Sequence, residues 1–210
     1  MPWYQWISLC AAIICFCSLL FHFLRLSRLG LPKDFATPAG DVRSASLYSF
    51  TGAMSPLKKE SAFLHLPTYT AGMIYHLGTF FSLFFIFFMY ADVVLPKVPA
   101  WGLASFVMFS AGCGAAILIK RFVKQGLRDL SSPDDYISNI LVTGFQAMTA
   151  LVLFFPGRFE AAYFLTVSLL LLYIPVGKLK HLLYFFSARL QLGYFFGSRG
   201  VWPPYQKQNP

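Results

Sequence analysis

Five apolar stretches, at roughly 5–24, 69–91, 100–119, 136–156 and 161–183, constrain this chain more than anything else in it. Each is close to the ~20 residues a helix needs to cross a ~30 Å hydrocarbon core. Backbone polar groups in lipid must be satisfied within the segment or within a closed barrel. The short alternating strands of a barrel are not seen here. The expected fold is therefore all-α, a polytopic membrane protein of five transmembrane helices. One integral-membrane domain is expected over 1–196, with a cytoplasmic tail over 197–210. Composition agrees: the chain is 57% hydrophobic and 12% charged, against about 25% charged in soluble domains.

The first stretch has no basic residue ahead of it and no small-x-small site after it, so it reads as a retained helix rather than a cleaved leader. The net charge of +9 is unevenly spread. Arg25, Arg28, Lys33, Arg43, Lys58 and Lys59 lie between stretches one and two, and Lys120, Arg121, Lys124 and Arg128 between three and four. Lys178, Lys180, Arg189, Arg199 and Lys207 fall around or after the end of stretch five, whereas Lys97 and Arg158 lie on the other side. The positive-inside rule then sets the N-terminus outside and the C-terminus in the cytoplasm, an orientation that five spans satisfy. This pattern suits membrane lipid head groups or a soluble partner rather than nucleic acid.

Residues 25–66 read as a cytoplasmic loop with room for one short helix. Pro67 suits the first turn of helix two. The run Ser131-Ser132-Pro133-Asp134-Asp135 has the cap, the early proline and the first-turn carboxylates of a helix start. Pro156-Gly157 marks an outer turn, and Pro175 with Gly177 predicts a bend near the end of helix five. A basic, aromatic, amphipathic stretch follows over 179–196.

Ionisable residues inside spans mark function. His76 lies in helix two and His181 at the cytoplasmic end of helix five, in spans that run in opposite directions. Two imidazoles in otherwise apolar surroundings suggest the axial ligands of a b-type haem. Gly72 and Gly78 thin the helix beside His76 and favour the approach of a flat macrocycle. His22 and His65 lie near the membrane surface and are weaker ligand candidates; His65 is also a candidate quinone contact. The four cysteines form no CxxC pair and there is no CxxCH, which argues against iron–sulfur, zinc or covalent haem sites. HExxH, GxSxG, P-loop and dinucleotide motifs are absent. Neither the broken polar helices of a transporter nor a channel's charged constriction is evident.

In three places the chain resembles the cytochrome b membrane subunits of the respiratory nitrate reductase gamma family. Relatives of that family serve heterodisulfide reductase, sulfite-reduction-associated and high-molecular-weight cytochrome complexes. His76 with Gly78 resembles the family's His-x-Gly on helix two. Lys120-Arg121 followed by Ser132-Pro133-Asp134-Asp135-Tyr136 resembles the end of helix three and the start of helix four. Pro175-Val176-Gly177-Lys178-Leu179-Lys180-His181 resembles the end of helix five and is the most specific of the three.

The resemblance implies a four-helix bundle around haem b, with His76 and His181 as axial ligands. Two-haem members carry a further histidine pair at the positions of Ile86 and Tyr163. The joint loss of that pair implies one haem, the cytoplasm-proximal one. Lys120, Arg121, Lys178 and Lys180 become candidates for the haem propionates, and Lys97 for a quinone contact. The implied role is electron transfer between a membrane quinone, menaquinone in expectation, and a cytoplasmic iron–sulfur subunit. That subunit would be of the heterodisulfide-reductase or nitrate-reductase beta type. Other membrane subunits and a periplasmic multihaem cytochrome c are further partners, and the setting is a bacterial or archaeal cytoplasmic membrane. The chain is not expected to be catalytic alone. The alternatives are a haem-free membrane anchor and a small transporter or assembly factor.

Overall fold

The structure, a computed structural model, describes residues 1–30, 35–55 and 65–204. Those residues form eight α-helices: α1 (Trp3–Arg28), α2 (Val42–Phe50), α3 (Leu66–Tyr90), α4 (Lys97–Val123), α5 (Gln125–Asp129), α6 (Pro133–Phe154), α7 (Glu160–Tyr173) and α8 (His181–Ser198). Short 3-10 turns occur at Gly52–Met54 and Lys178–Lys180. Among the described residues, α1, α3, α4 and α6 are each long and apolar enough to cross a membrane. The count rises to five if the broken pair Glu160–Tyr173 and Lys178–Ser198 forms one span. The protein is thus an all-α, multi-pass membrane protein.

The fifth apolar stretch is not the single helix over 161–183 that the sequence predicts. α7 stops at Tyr173: Ile174 still has helical dihedrals and donates to the Leu170 carbonyl, but Pro175 has no N–H to continue the ladder. The N–H groups of Val176 and Gly177 both donate to the Tyr173 carbonyl, at 3.1 and 2.9 Å. That turn folds Gly177 under the Tyr173 ring, where a Cβ would sit 2.4 Å from a ring carbon. Only glycine fits there without displacing the ring.

Two compact units make up the chain: Met1–Ser18 with Pro67–Leu179, and Leu19–Leu66 with Lys180–Pro210. In the first, α4 presents Ala104, Val107, Ala111 and Gly114 as a buried stripe spaced three and four residues apart. Small residues in a stripe let membrane helices approach closely, where packing rather than water exclusion drives association. α4 packs on α6, whose Val142, Phe145, Gln146, Thr149 and Leu153 are buried. The tight turn after Phe154, with Gly157 at φ 81, returns the chain as α7 along α6. The start of α1 joins this unit through Tyr4, whose hydroxyl donates to Glu160 at 3.1 Å and whose ring stacks on Phe164. Large apolar side chains such as Trp6, Phe16, Phe80 and Phe87 face outward, as spans in lipid require.

The second unit is built on α2 and α8. Asp41 caps α2, accepting from the N–H groups of Arg43 and Ser44. Gly193 and Gly197, one turn apart on α8, bring the two helices together. A Cβ on Gly193 would lie 2.5 Å from the Ser46 Cα, and one on Gly197 2.6 Å from the Ala45 Cβ. The Ser49 hydroxyl donates to the Arg189 carbonyl at 2.9 Å, and Phe50 stacks on Phe186. The amphipathic stretch foreseen over 179–196 is thus a helix running to Ser198, and the short helix foreseen within 25–66 is α2.

Gly193→Leu and Gly197→Leu should each lower stability by about 1–3 kcal/mol, the usual cost of overpacking. Gly126→Leu, with open space around it, should leave stability unchanged. Thermal unfolding in detergent checks this contrast.

Candidate functional site

His76 stands in the middle of α3, a helix with two different sides. Gly78, Ser82, Phe85 and Ile86 are buried, whereas Met73, His76, Leu77, Phe80 and Phe84 are exposed. On the buried side, α4 and α6 both bond the backbone of the turn that carries His76. The Ser110 hydroxyl donates to the Ile74 carbonyl at 2.9 Å. The Gln146 amide donates to the Tyr75 carbonyl at 2.9 Å and to the Thr79 hydroxyl at 2.7 Å. The Tyr75 hydroxyl bonds the Asn139 carbonyl and shares a hydrogen bond with Thr143, each at 3.2 Å. Carbonyls with spare lone pairs in a low-dielectric interior make good partners for such side chains.

Gly78 makes this contact possible. A Cβ there would lie 2.1 Å from the Ser110 hydroxyl and 3.2 Å from the Gln146 carbonyl oxygen. The sequence reading of Gly78 as space for a macrocycle is therefore corrected: helix α4 fills that space. Gly72 is different, since nothing lies within 4 Å of a Cβ built on it.

The His76 imidazole bonds back to its own helix, with Nδ1 2.7 Å from the Gly72 carbonyl oxygen. A carbonyl only accepts, so Nδ1 carries a proton in this bond, and in the Nδ1–H tautomer the lone pair lies on Nε2. Ligating histidines are commonly fixed by such an N–H bond to a backbone carbonyl. A residue with this tautomer and an exposed side chain fits an axial-ligand role.

His181 belongs to the second unit and His76 to the first. His181 is the first residue of α8, directly after the Lys178–Lys180 turn, and its side chain is exposed. It therefore opens a helix beyond the break at Tyr173. His22 lies within four residues of the start of the second unit, where its Nδ1 is 3.3 Å from the Tyr184 hydroxyl. His65 is exposed, immediately before α3, and Lys97 is the exposed first residue of α4.

Three of the four basic propionate candidates have partners within the first unit. Lys120 donates to the Thr68 hydroxyl. Arg121 donates to the Ser131 hydroxyl at 3.0 Å and pairs with Asp135 at 3.4 Å. Lys178 donates to Asp135 at 2.7 Å. Lys180 is half-buried. Asp135 also accepts from the Ser132 backbone N–H at 2.9 Å, one half of a capping box at the start of α6.

Ile86 and Tyr163, the positions where two-haem members of the resembled family carry a further histidine pair, are packed among side chains. Ile86 is buried, and Tyr163 is wholly so. The Tyr163 ring lies 6.4, 6.1 and 5.3 Å from those of Phe85, Phe145 and Phe164. A macrocycle would have to displace this cluster, and neither residue supplies an imidazole.

A cavity of about 150 Å³ opens at the other end of the first unit. Phe85, Phe88, Val152 and Leu153 line it, with Asp92 and Glu160 as its charged residues. Neither of the sequence-predicted quinone contacts, His65 and Lys97, is among its lining residues. The cavity had no signal in the sequence, because Asp92, in the turn after α3, and Glu160, the first residue of α7, are brought together only by packing.

Compared with protein-family models, curated proteins and solved structures, the chain matches none.

The tight packing at Gly78 gives a direct check. Gly78→Ala should destabilise the purified protein by about 1–3 kcal/mol through overpacking. Gly144→Ala, with nothing within 4 Å, should be neutral or stabilising by up to about 1 kcal/mol. Denaturant unfolding in mixed micelles reads both.

Proposed function

We propose that this chain is a membrane cytochrome b subunit that carries electrons through one haem b ligated by His76 and His181. The observation that carries the reading is His76 itself. An imidazole on the exposed side of a membrane span, with Nδ1 bonded to the Gly72 carbonyl, offers Nε2 outward beside a glycine with open space. The pairing with His181 rests on the resemblance of Pro175 to His181 to the family's helix-five ending.

Haem b, when bound, supplies a reversible one-electron iron couple whose potential the axial ligands and surrounding polarity set. The chain's own residues position it. Ser110 and Gln146 hold the two backbone carbonyls just ahead of His76, those of Ile74 and Tyr75, and the Gly72 carbonyl fixes its tautomer. Lys180 is the propionate candidate with no partner named above, while Arg121 and Lys178 are shared with Asp135. The packed aromatic cluster at Tyr163 supports a count of one haem rather than two.

On this reading the complex exchanges electrons with membrane menaquinone and with a cytoplasmic iron–sulfur subunit of the heterodisulfide-reductase or nitrate-reductase beta type. The basic loops face the cytoplasm, the N-terminus lies outside, and the setting is a bacterial or archaeal cytoplasmic membrane.

The test is a reduced-minus-oxidised spectrum of the purified protein with pyridine haemochrome quantitation. One haem b per chain is expected in the wild type, in His22→Ala and in His65→Ala. Loss of the α-band is expected in His76→Ala and His181→Ala. A haem-free wild type would overturn the reading and leave a membrane anchor.

A further inference from the structure

Three oxygen atoms in the core of the first unit are enclosed and have no hydrogen-bond partner among the described residues: Ser82 Oγ, Gln146 Oε1 and Tyr163 Oη. Their residues are 0% exposed and come from three different helices, α3, α6 and α7. Buried polar groups are nearly always satisfied, by protein or by ordered water. Lipid offers no substitute.

The chain's usual solution is local. Thr79, Ser105, Thr149, Thr166 and Ser168 each donate to the carbonyl four residues back. Ser82 does not, so its hydroxyl is left for another partner. Gln146 spends its amide N–H groups on the Tyr75 carbonyl and the Thr79 hydroxyl, at 2.9 and 2.7 Å. The Tyr75 carbonyl only accepts, so the amide cannot be turned over, and Oε1 still needs a donor. The Thr149 hydroxyl lies beside that of Tyr163, but its own proton goes to the Phe145 carbonyl at 2.9 Å.

The three oxygens share one region of the bundle. α3 and α6 run in the same direction, since Tyr75 bonds Thr143 and Thr79 bonds Gln146. Three residues further along both helices, a rise of about 4.5 Å, Ser82 comes level with Thr149. Gln146 Oε1 lies 3.2 Å from a Cβ built on Gly78, one turn before Ser82 on the same buried side of α3. Tyr163 enters from α7, beside Thr149 and against the rings of Phe85 and Phe145.

An occupant of this region must donate to Gln146 Oε1 and bond two hydroxyls. Water does both, and buried water makes about three such bonds. None of the three side chains carries a charge to hold an ion. We infer that the first unit binds ordered water in its interior, between Ser82, Gln146 and Tyr163. The inference does not rest on haem ligation.

Two measurements on the purified full chain test it. The first is denaturant unfolding in mixed micelles of Ser82→Ala and Tyr163→Phe. Removing a hydroxyl that holds water leaves the remaining partners short of a bond, whereas removing an unused one relieves a buried polar group. Each variant should therefore weaken the folding equilibrium about threefold or more. Ser168→Ala, whose hydroxyl bonds back onto its own helix, should change it by less than about twofold. The second is magnetisation transfer from water to side chains in lipid bilayers, read by solid-state nuclear magnetic resonance. Transfer to the Gln146 amide is expected, and it should weaken in Tyr163→Phe. If one variant fails to accumulate, the other and the wild-type transfer carry the test. Folding as tight as wild type or tighter in both hydroxyl variants would overturn the inference, and so would a wild type without transfer from water to Gln146.

Discussion

The close approach of α3 to α4 and α6 at Gly78 is the contact on which the orientation of α3, and with it of His76, depends. Inside a membrane, apolar surface gains little by leaving lipid, so helices associate through fit and hydrogen bonds. The missing side chain at Gly78 lets Ser110 and Gln146 reach backbone carbonyls in the turn that carries His76. Those bonds fix the rotation of α3 about its axis. With Gly78, Ser82 and Phe85 turned inward, His76, Leu77 and Phe80 must face out. One glycine thereby decides which side of the helix offers an imidazole.

Electrostatics do a similar task at the basic end of the unit. Asp135 gathers Arg121 from the end of α4 and Lys178 from beyond α7, while capping its own helix. Three helix ends meet at one carboxylate, and Asp134 adds the tyrosine that closes α7. At the opposite end the unit is bound by aromatic packing, with Tyr163 among Phe85, Phe145 and Phe164. The two ends therefore differ in chemistry, one ionic and one aromatic, and the candidate ligand His76 lies along the helix between them.

Much of this was legible in the sequence, for reasons that can be stated residue by residue. Span length and apolar content predict α1, α3, α4 and α6 because lipid permits little else. The start of α6 is foretold by Ser132, Pro133 and Asp135, since capping is local chemistry. The break after Tyr173 was legible only as a bend. Pro175 and Gly177 announce a disturbance, but the bond of Tyr173 to Asp134, 39 residues away, leaves no local signal. The side of α3 on which Gly78 lies was not legible, because a glycine thins both an open face and a packed one. The Gly193 and Gly197 pair on α8 was visible as a spacing, yet its partner in α2 lies in a loop of low hydropathy that gives no packing signal. For the candidate site, the identity of His76 and His181 came from the sequence. The tautomer of His76 and the engagement of Arg121 and Lys178 by Asp135 came only from the fold.

The central claim is that two imidazoles of this chain ligate one low-spin iron. Near-infrared magnetic circular dichroism of the oxidised, purified protein tests it most directly, because the porphyrin-to-iron charge-transfer energy depends on the axial ligand pair. The account predicts a single low-spin band at the bis-imidazole position. A high-spin ferric spectrum, or a band belonging to a histidine–methionine or histidine–amine pair, would contradict it.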